Sequence, residues 1–301
     1  MVTTTGAHPK DLWPGVKAHF GQAYAEKPMT CTSIYDEQTS DKAYEERVET
    51  TNLGLAPIKA EGAGVAYDQS AQGYVSRMTN TTYGLGEKIT REAIEDNQYF
   101  DVARRGAERL ARSMRSTKET VAANVLNRAF DSSYTGGDGV ELLSAAHPTL
   151  SGNQSNELAI AADLSEASIE DLLTQIRQAK DSRGLRIDLR GLKLVVPPEL
   201  EFDATRIVRS TLQSGTANND TNAMRELGML PDGVIVCDYL TDPDAFFIVT
   251  DAREGLIYQT RRALELEQDN DFDTMNACMR ATERYAFGWA DWRGVYGSPG
   301  A

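Results

Sequence analysis

The sequence has few of the residues that build metal sites and disulfide frameworks. Its 301 residues include three cysteines and three histidines. Cys31, Cys237 and Cys278 are far apart and odd in number, which fits neither a disulfide framework nor a CxxC metal site. The histidines lack HxxxH or HExxH spacing. We therefore expect a reducing, cytosolic environment and no metal site.

Long apolar runs are also missing. No stretch of eighteen apolar residues occurs, and the N-terminus, MVTTTGAHPKDLWPG, has neither a basic n-region nor an apolar h-region. These absences argue against a membrane protein or a secreted one, and we expect no membrane partner. With 41% hydrophobic and 25% charged residues, the composition predicts a folded, water-soluble protein.

Familiar catalytic motifs are incomplete or absent. GLGEKIT (84–90) lacks the GxxxxGK[ST] spacing of a phosphate loop, and no GxSxG occurs. The acidic run 267–273 lacks the glycine and terminal glutamate of a calcium loop and is better interpreted as a hairpin tip. We expect no catalytic, cofactor-binding or metal-binding residue. One alternative stays open, a cytosolic enzyme whose site gathers Asp238, Asp242 and Asp251 near strand ends.

Residues 98–130 are a basic segment in an acidic chain. The formal net charge of −14 argues against a general nucleic-acid binder, because phosphate contacts need dense lysine and arginine. Apolar residues recur every three, four or seven positions from Tyr99 to Val125, which predicts one helix of roughly 50 Å. Its opposite face could also be an ordinary solvated surface with some glutamate pairing. Six cations there form a predicted basic stripe: Arg104, Arg105, Arg109, Arg112, Arg115 and Lys118.

The chain before this helix holds little core material. Residues 46–96 contain six glycines and few large apolar residues, with short strand-like alternations, which predicts a long, open hairpin or arm. Residues 1–30, with scattered aromatics, form a second extension that we expect to pack poorly. Long segments of this kind are usually functional arms or disordered.

The later part of the chain predicts a compact α/β unit followed by a long-stranded sheet. Ser165 is expected to cap an amphipathic helix. Residues 191–208, GLKLVVPPELEFDATRIV, predict a buried strand, two prolines and a helix whose first turn accepts Pro198. GVIVCDYL and AFFIVTD predict buried strands, and residues 264–289 predict two long antiparallel strands with QDNDFDT as their turn.

Three stretches carry a resemblance to a known family. They are YGLGEKITREAIEDNQYFDVARR, GVELLSAAHP and LKLVVPPELEFDATRIV. Together with the order of elements, they resemble the Hong Kong 97-type major capsid proteins of tailed phages, closest to the Mu-like major head subunits. The resemblance implies an α+β fold in which the strand, diproline and helix pack inside the axial domain.

The same resemblance implies a division of the chain. The expected parts are an N-terminal arm at 1–34, an extended loop at 35–90, a peripheral domain at 91–158 and 251–301 with a spine helix near 91–130, and an axial domain at 159–250. The implied function is assembly of hexamers and pentamers into an icosahedral shell around double-stranded DNA. Expected partners are other copies, a portal, decoration or scaffolding proteins, and DNA by non-specific contact.

The implied location is the virion capsid, assembled in the host cytoplasm. No long charged helical region precedes the arm, so we expect a separate scaffolding protein or a processed chain, and Met1 favours the former. The basic stripe is expected to face DNA or the acidic loops of a neighbouring subunit. Encapsulin shells share the fold, which leaves a cargo-holding protein compartment as an alternative to the phage.

Overall fold

The computed structural model describes residues 9–90, 92, 99–212, 221–271 and 276–301. Within them, ten strands form two four-stranded sheets and one two-stranded hairpin. The strands are β1 (Asp36–Thr39), β2 (Tyr44–Thr50), β3 (Gln72–Thr79), β4 (Thr81–Ile89), β5 (Gly191–Val196), β6 (Gly233–Val236), β7 (Phe246–Thr250), β8 (Leu256–Asn270), β9 (Ala277–Trp289) and β10 (Val295–Ser298). The α-helices are α1 (Pro9–Tyr24), α2 (Tyr99–Asn127), α3 (Glu166–Arg177), α4 (Glu201–Arg209) and α5 (Ala223–Glu226).

The predicted long helix is α2, with 29 residues and a length of about 44 Å. Residues 91 and 93–98 of its predicted range lie outside the described residues. Ala107, Leu110 and Met114 of the apolar stripe are buried, as the spacing predicts. No described helix is both long enough and apolar enough to cross a bilayer.

The first sheet has the strand order β1-β8-β9-β4 and is built around the predicted long antiparallel pair, β8 and β9. β1 adds to β8 in parallel and β4 adds to β9 antiparallel. Because side chains alternate across a strand, Tyr258 and Tyr285 join a core with α2, whereas Ile257 and Ala286 face the opposite side. Met78 of the β2–β3 hairpin covers that opposite side.

The second sheet has the order β10-β7-β5-β6. Val195 packs toward α2 in the same core as Tyr258, while its neighbours Leu194 and Val196 pack against α3 and α4. α3 begins as predicted, because the Ser165 hydroxyl accepts the N–H of Ser168 and forms a capping box. Two sheets thus share one face of α2 as a common support.

The diproline ends β5 and starts the next helix, as the sequence predicts. Pro197 is extended, and Pro198 opens a short 3₁₀ turn, Pro198–Leu200, that runs directly into α4. Three strands pair with strands from a different part of the expected division of the chain. β1 and β4 fall in the expected extended loop but belong to the first sheet, and β10 falls in the expected peripheral domain but pairs with β7.

Candidate assembly surfaces

An exposed loop, residues 51–71, projects from the β2–β3 hairpin. It has no regular secondary structure apart from a turn closed by the Ala63 N–H and the Ala60 carbonyl at 3.1 Å. Gly62 has φ +75°, which suits the third position of a type II turn. Leu55, Ile58 and Tyr67 are 82%, 101% and 97% exposed. Their own subunit therefore leaves these large apolar side chains in water.

The base of the exposed loop is fixed, although its outer part is not covered. The Asp68 carboxylate accepts the Gly54 N–H and an Arg183 N–H, both at 2.7 Å. The Arg183 hydrogen bond, followed by that of Gly54, lowers the pKa of Asp68 to about 2. Asn52 donates to Asp181, which precedes Arg183 in the chain. The loop is thus held in an open shape at its base and presents its apolar tip outward.

A linking segment, residues 25–35, connects α1 with β1 and lies along α2. The Arg112 guanidinium lies 3.4 Å from Glu26, and Arg115 donates to the Pro28 carbonyl at 2.8 Å. Glu119 accepts the backbone N–H groups of Thr30 at 2.9 Å and Cys31 at 2.8 Å, and the Tyr35 hydroxyl donates to the Ala122 carbonyl at 2.7 Å. The four α2 positions are Arg112, Arg115, Glu119 and Ala122, which share one helical face.

The expectation that residues 1–30 pack poorly is wrong for the described part. Phe20 and Ala23 of α1 are buried with Leu110 and Met114 of α2. The sequence carried a signal for this contact, since Phe20, Ala23 and Tyr24 recur at the three- and four-residue spacing of one helical face. Residues 1–8 lie outside the described residues.

Lys118 does not belong to the exposed basic stripe, which corrects the prediction. It is only 7% exposed, forms an ion pair with Glu283 of β9, and lies over the rings of Tyr258 and Tyr285. Burial alone would lower the pKa of Lys118, but the hydrogen bond and charge of Glu283 raise it above its ordinary value. Burial, then the charge of Glu283, raises the pKa of Tyr24 to about 12. Tyr24, Lys118 and Glu283 contact one another, and they thereby join α1, α2 and the first sheet.

The rest of the stripe is exposed or half-buried, and most of its cations are paired within the subunit. Arg104 lies 3.1 Å from Glu108, Arg109 lies 2.7 Å from Glu87 of β4, and Arg112 reaches Glu26 as described. Arg105 is exposed on the same face, and Arg115 is half-buried. Three carboxylates therefore offset much of the positive charge that the spacing places on this face.

Two of the cysteines meet, so the interpretation that the three cysteines fit no disulfide framework is wrong for this pair. Cys31 and Cys237 are bonded, with their Cα atoms 5.7 Å apart and a sequence separation of 206. The pairing could not be predicted from the sequence, because Cys31 precedes β1 and Cys237 directly follows β6, far apart in the chain. Cys278 is free and half-buried.

The carboxylates of the enzyme alternative do not converge. Asp238 follows β6 and Asp251 follows β7, and since β6 runs parallel to β5 whereas β7 runs antiparallel to it, the two residues lie at opposite ends of the second sheet. Asp242 is exposed and accepts the Asp244 N–H at 3.1 Å. Among the described residues, no group of three or more potential metal ligands is placed to hold an ion. The topology thus contradicts that site.

A buried histidine forms a hydrogen-bonded network with an aspartate and an asparagine. The buried His147 ring bonds the Asp138 carboxylate at 2.6 Å and the Asn156 amide oxygen at 3.0 Å, and it stacks on Trp292 at 4.2 Å. Asn156 in turn donates to the carbonyls of Leu142, Trp292 and Val295. Since the ring is fully buried and both of its nitrogens are hydrogen-bonded, the histidine ties the GVELLSAAHP stretch to the chain beside β10.

Known proteins with a similar sequence profile or a similar fold are capsid and particle proteins. A sequence profile of the phage capsid protein family matches residues 74–298, about three quarters of the chain. No curated protein sequence matches. The capsid of the native GTA particle aligns with a TM-score of 0.56 at 13% identity over 90% of both chains.

Two further structures share the architecture. The virus-like particle from Pyrococcus furiosus aligns with a TM-score of 0.54 at 9% identity, over 95% of this chain and 98% of the other. The procapsid of bacteriophage JBD30 aligns with a TM-score of 0.52 at 15% identity, over 98% of this chain and 76% of the other. The chain therefore belongs to the phage capsid protein family, as a major capsid protein with the Hong Kong 97-type fold.

Proposed function

We propose that this chain builds the icosahedral shell of a tailed phage of the Mu-like kind, as hexamers and pentamers that enclose double-stranded DNA. The observation that carries the proposal is the exposed loop. Burying a leucine, isoleucine or aromatic side chain contributes about 1.5–3 kcal/mol, so Leu55, Ile58 and Tyr67 together favour contact with another surface. A second copy supplies that surface in a closed shell.

The fixed base of the exposed loop supports this role. Arg183 and Asp68 fix the root of the loop to its own subunit, so less conformational entropy is lost when the tip docks. When the exposed loop of one subunit docks on a neighbouring copy, its apolar side chains become buried, so their burial stabilises the assembly. The shell then gains stability from many equivalent, individually modest contacts.

We extend the division of the chain in the same terms. Residues 1–34 form the N-terminal arm and 35–90 the extended loop region, with β1 and β4 contributed to the peripheral sheet. The peripheral domain comprises 91–158 and 251–301, and the axial domain comprises 159–250 with β10 added at its sheet edge. A portal, scaffolding and decoration proteins are the further partners, and assembly takes place in the host cytoplasm.

For the basic stripe, the ion pairs favour a neighbouring subunit over DNA. Non-specific DNA binding grows with the number of unpaired cations, and Glu26, Glu87 and Glu108 already engage three of the arginines. An acidic chain with a net charge of −14 offers many carboxylates on its neighbours. Arg105 is the stripe residue that we expect to reach them.

The cargo-compartment alternative is less favoured. The fold alone does not separate a compartment from a virus, but the family profile that covers residues 74–298 is that of phage capsid proteins. The enzyme alternative is not supported, because Asp238 and Asp251 lie at opposite ends of the second sheet.

The experiment is assembly of the purified chain, followed by sedimentation velocity and negative-stain microscopy. We expect closed shells, or hexamers and pentamers that close when a scaffolding protein is added. A monomer that stays monodisperse at high concentration, with the exposed loop protected from protease, would contradict the proposal.

A further inference from the structure

We propose that Cys31 and Cys237 form a thiol–disulfide lock that is open while the shell assembles in the reducing host and closes in the finished particle. The inference rests on the proposed function for its timing, because only a particle that leaves the cell passes from a reducing to an oxidising environment. The two Cα atoms are 5.7 Å apart, within the range that a disulfide spans without backbone movement.

Other contacts hold the Cys31 side of the lock without the sulfur–sulfur bond. Glu119 accepts the N–H groups of Thr30 and Cys31, and Lys193 donates to the Ser33 carbonyl at 2.9 Å. The Tyr35 hydroxyl is anchored on α2. Because these bonds do not involve sulfur, the reduced chain keeps Cys31 at the same place.

The Cys237 side is held by the second sheet. The Cys237 N–H donates to the Val196 carbonyl at 3.0 Å, which extends the β5–β6 pairing by one residue, immediately before the diproline. Both sulfurs lie in the core shared by α2 and the two sheets, with no solvent exposure. Folding therefore brings the two thiols together, and the disulfide forms within a subunit that is already folded.

Closing the lock would change which parts of the subunit are covalently connected. Most polar contacts of the linking segment go to α2, whereas the disulfide ties it covalently to the second sheet. The bond closes a loop of 206 residues, and long closed loops restrict the unfolded chain most. The finished shell would gain resistance to unfolding without any change in its assembly contacts.

The chemistry balances by thiol–disulfide exchange with a low-molecular-weight disulfide. One cysteine thiolate attacks the small disulfide, forms a mixed disulfide and releases one small thiol. The second cysteine thiolate then attacks the mixed disulfide and releases the other small thiol. Two protein thiols are oxidised, one small disulfide is reduced to two thiols, and the two protein protons pass to the released thiolates. Full burial of both sulfurs makes the exchange slow, since it needs a brief local opening.

Cys278 provides a matched control. It lies on β9 near the far tip of the first sheet, with its sulfur 3.9 Å from the Asn276 carbonyl oxygen, and it has no disulfide partner. Replacing it removes one thiol from the chain and leaves the lock intact.

The test compares the wild-type chain, the C31S/C237S double variant and C278S. Cells are lysed in denaturant that contains an alkylating agent, so that buried thiols also react. Separate native samples are exposed to oxidised glutathione before the same denaturing alkylation, and mass spectrometry counts the alkylated thiols. We expect three free thiols per chain at lysis. After oxidation, Cys31 and Cys237 should resist alkylation without carrying a glutathione adduct, whereas Cys278 should be either alkylated or joined to glutathione, because it has no second cysteine to resolve a mixed disulfide. Oxidised wild type and C278S should melt roughly 3–8 °C higher than the reduced proteins. The double variant should show no such shift but assemble normally.

Three free thiols after oxidation, or a reductant-sensitive melting temperature in the double variant, would overturn the lock. A disulfide already complete at lysis would overturn its timing. If the double variant fails to fold, wild type kept in reductant tests the same point, because it must still assemble. The thiol count needs no shell, so a chain that never assembles refutes the proposed function and leaves the chemistry of the pair measurable.

Discussion

Glu119 of α2 and Cys31 of the linking segment are joined by a buried hydrogen bond, in which the carboxylate accepts the Cys31 N–H at 2.8 Å. The other carboxylate oxygen accepts the Thr30 N–H at 2.9 Å. One side chain thus satisfies two consecutive backbone donors and fixes the path of the chain from α1 to β1.

Replacing Glu119 with alanine should lower the free energy of unfolding by about 2–4 kcal/mol, because two partly buried N–H groups lose a charged acceptor. Urea unfolding of the unassembled subunit measures this. Glu108→Ala is the matched control on the same helix, since Glu108 only makes a surface pair with Arg104 and should cost under about 1 kcal/mol. Equal losses for the two variants would refute the role of Glu119.

The buried pair of Lys118 and Glu283 predicts strong non-additivity. Lys118→Met leaves the Glu283 carboxylate buried without its cation and should cost about 3–5 kcal/mol. The double variant K118M/E283M should recover most of that loss, because no unpaired charge remains. A double variant as unstable as the sum of the two single variants would show that the two side chains are not energetically coupled, and it would contradict this prediction.

Acid should loosen the base of the exposed loop. The pKa of Asp68 is lowered to about 2 in the folded chain from an ordinary value of 3.8, so its contribution is fully present above about pH 4 and is lost as the pH falls toward 2. Hydrogen exchange of the Gly54 amide, corrected for the intrinsic pH dependence, should accelerate across that window. Asp68→Asn should flatten the profile, and an unchanged profile in that variant would contradict the assignment.

The apolar tip of the exposed loop should matter for assembly and not for the subunit. Leu55→Ser combined with Ile58→Ser should change the free energy of unfolding by no more than about 0.5 kcal/mol, since both side chains are exposed. The concentration needed for assembly should rise at least about tenfold for each 1.4 kcal/mol of lost contact. Lys59→Ser and Glu61→Ser, exposed in the same loop, are controls that should assemble normally. Normal assembly of the apolar variant would refute the docking role.

Charge reversal at Arg105 separates the two partners considered for the basic stripe. Arg105→Glu breaks none of the three ion pairs of Arg104, Arg109 and Arg112, so the subunit should remain as stable as wild type. Light scattering should show weaker assembly if the stripe faces acidic neighbours. Shells that form normally but retain less DNA would indicate that the stripe faces the genome instead.

Much of the fold follows from local patterns. Alternation predicts β8 and β9, the run before Pro197 predicts β5, and helical spacing predicts α2 and its buried stripe. These elements were predictable because each is specified by residues close together in the chain. Glycine and the sparse core of residues 46–96 likewise indicated an exposed loop.

The rest depends on contacts between distant residues. Cys31 meets Cys237 across 206 residues, and Lys118 meets Glu283 across 165, so spacing alone could place Lys118 on the wrong face. The added edge strands β1, β4 and β10 are short or polar and join sheets by backbone pairing, which leaves little trace in side-chain pattern. The linking segment had one usable signal, the spacing of Arg112, Arg115 and Glu119 on α2. The partners of Arg115 and Glu119 are backbone groups, which no side-chain pattern reveals.

Electron cryomicroscopy of particles formed by the purified chain tests the central claim most directly. The account predicts closed shells in which residues 51–71 of each subunit lie on a neighbouring copy, with Leu55, Ile58 and Tyr67 removed from solvent. A loop folded back onto its own subunit, or left uncovered in an intact shell, would contradict it.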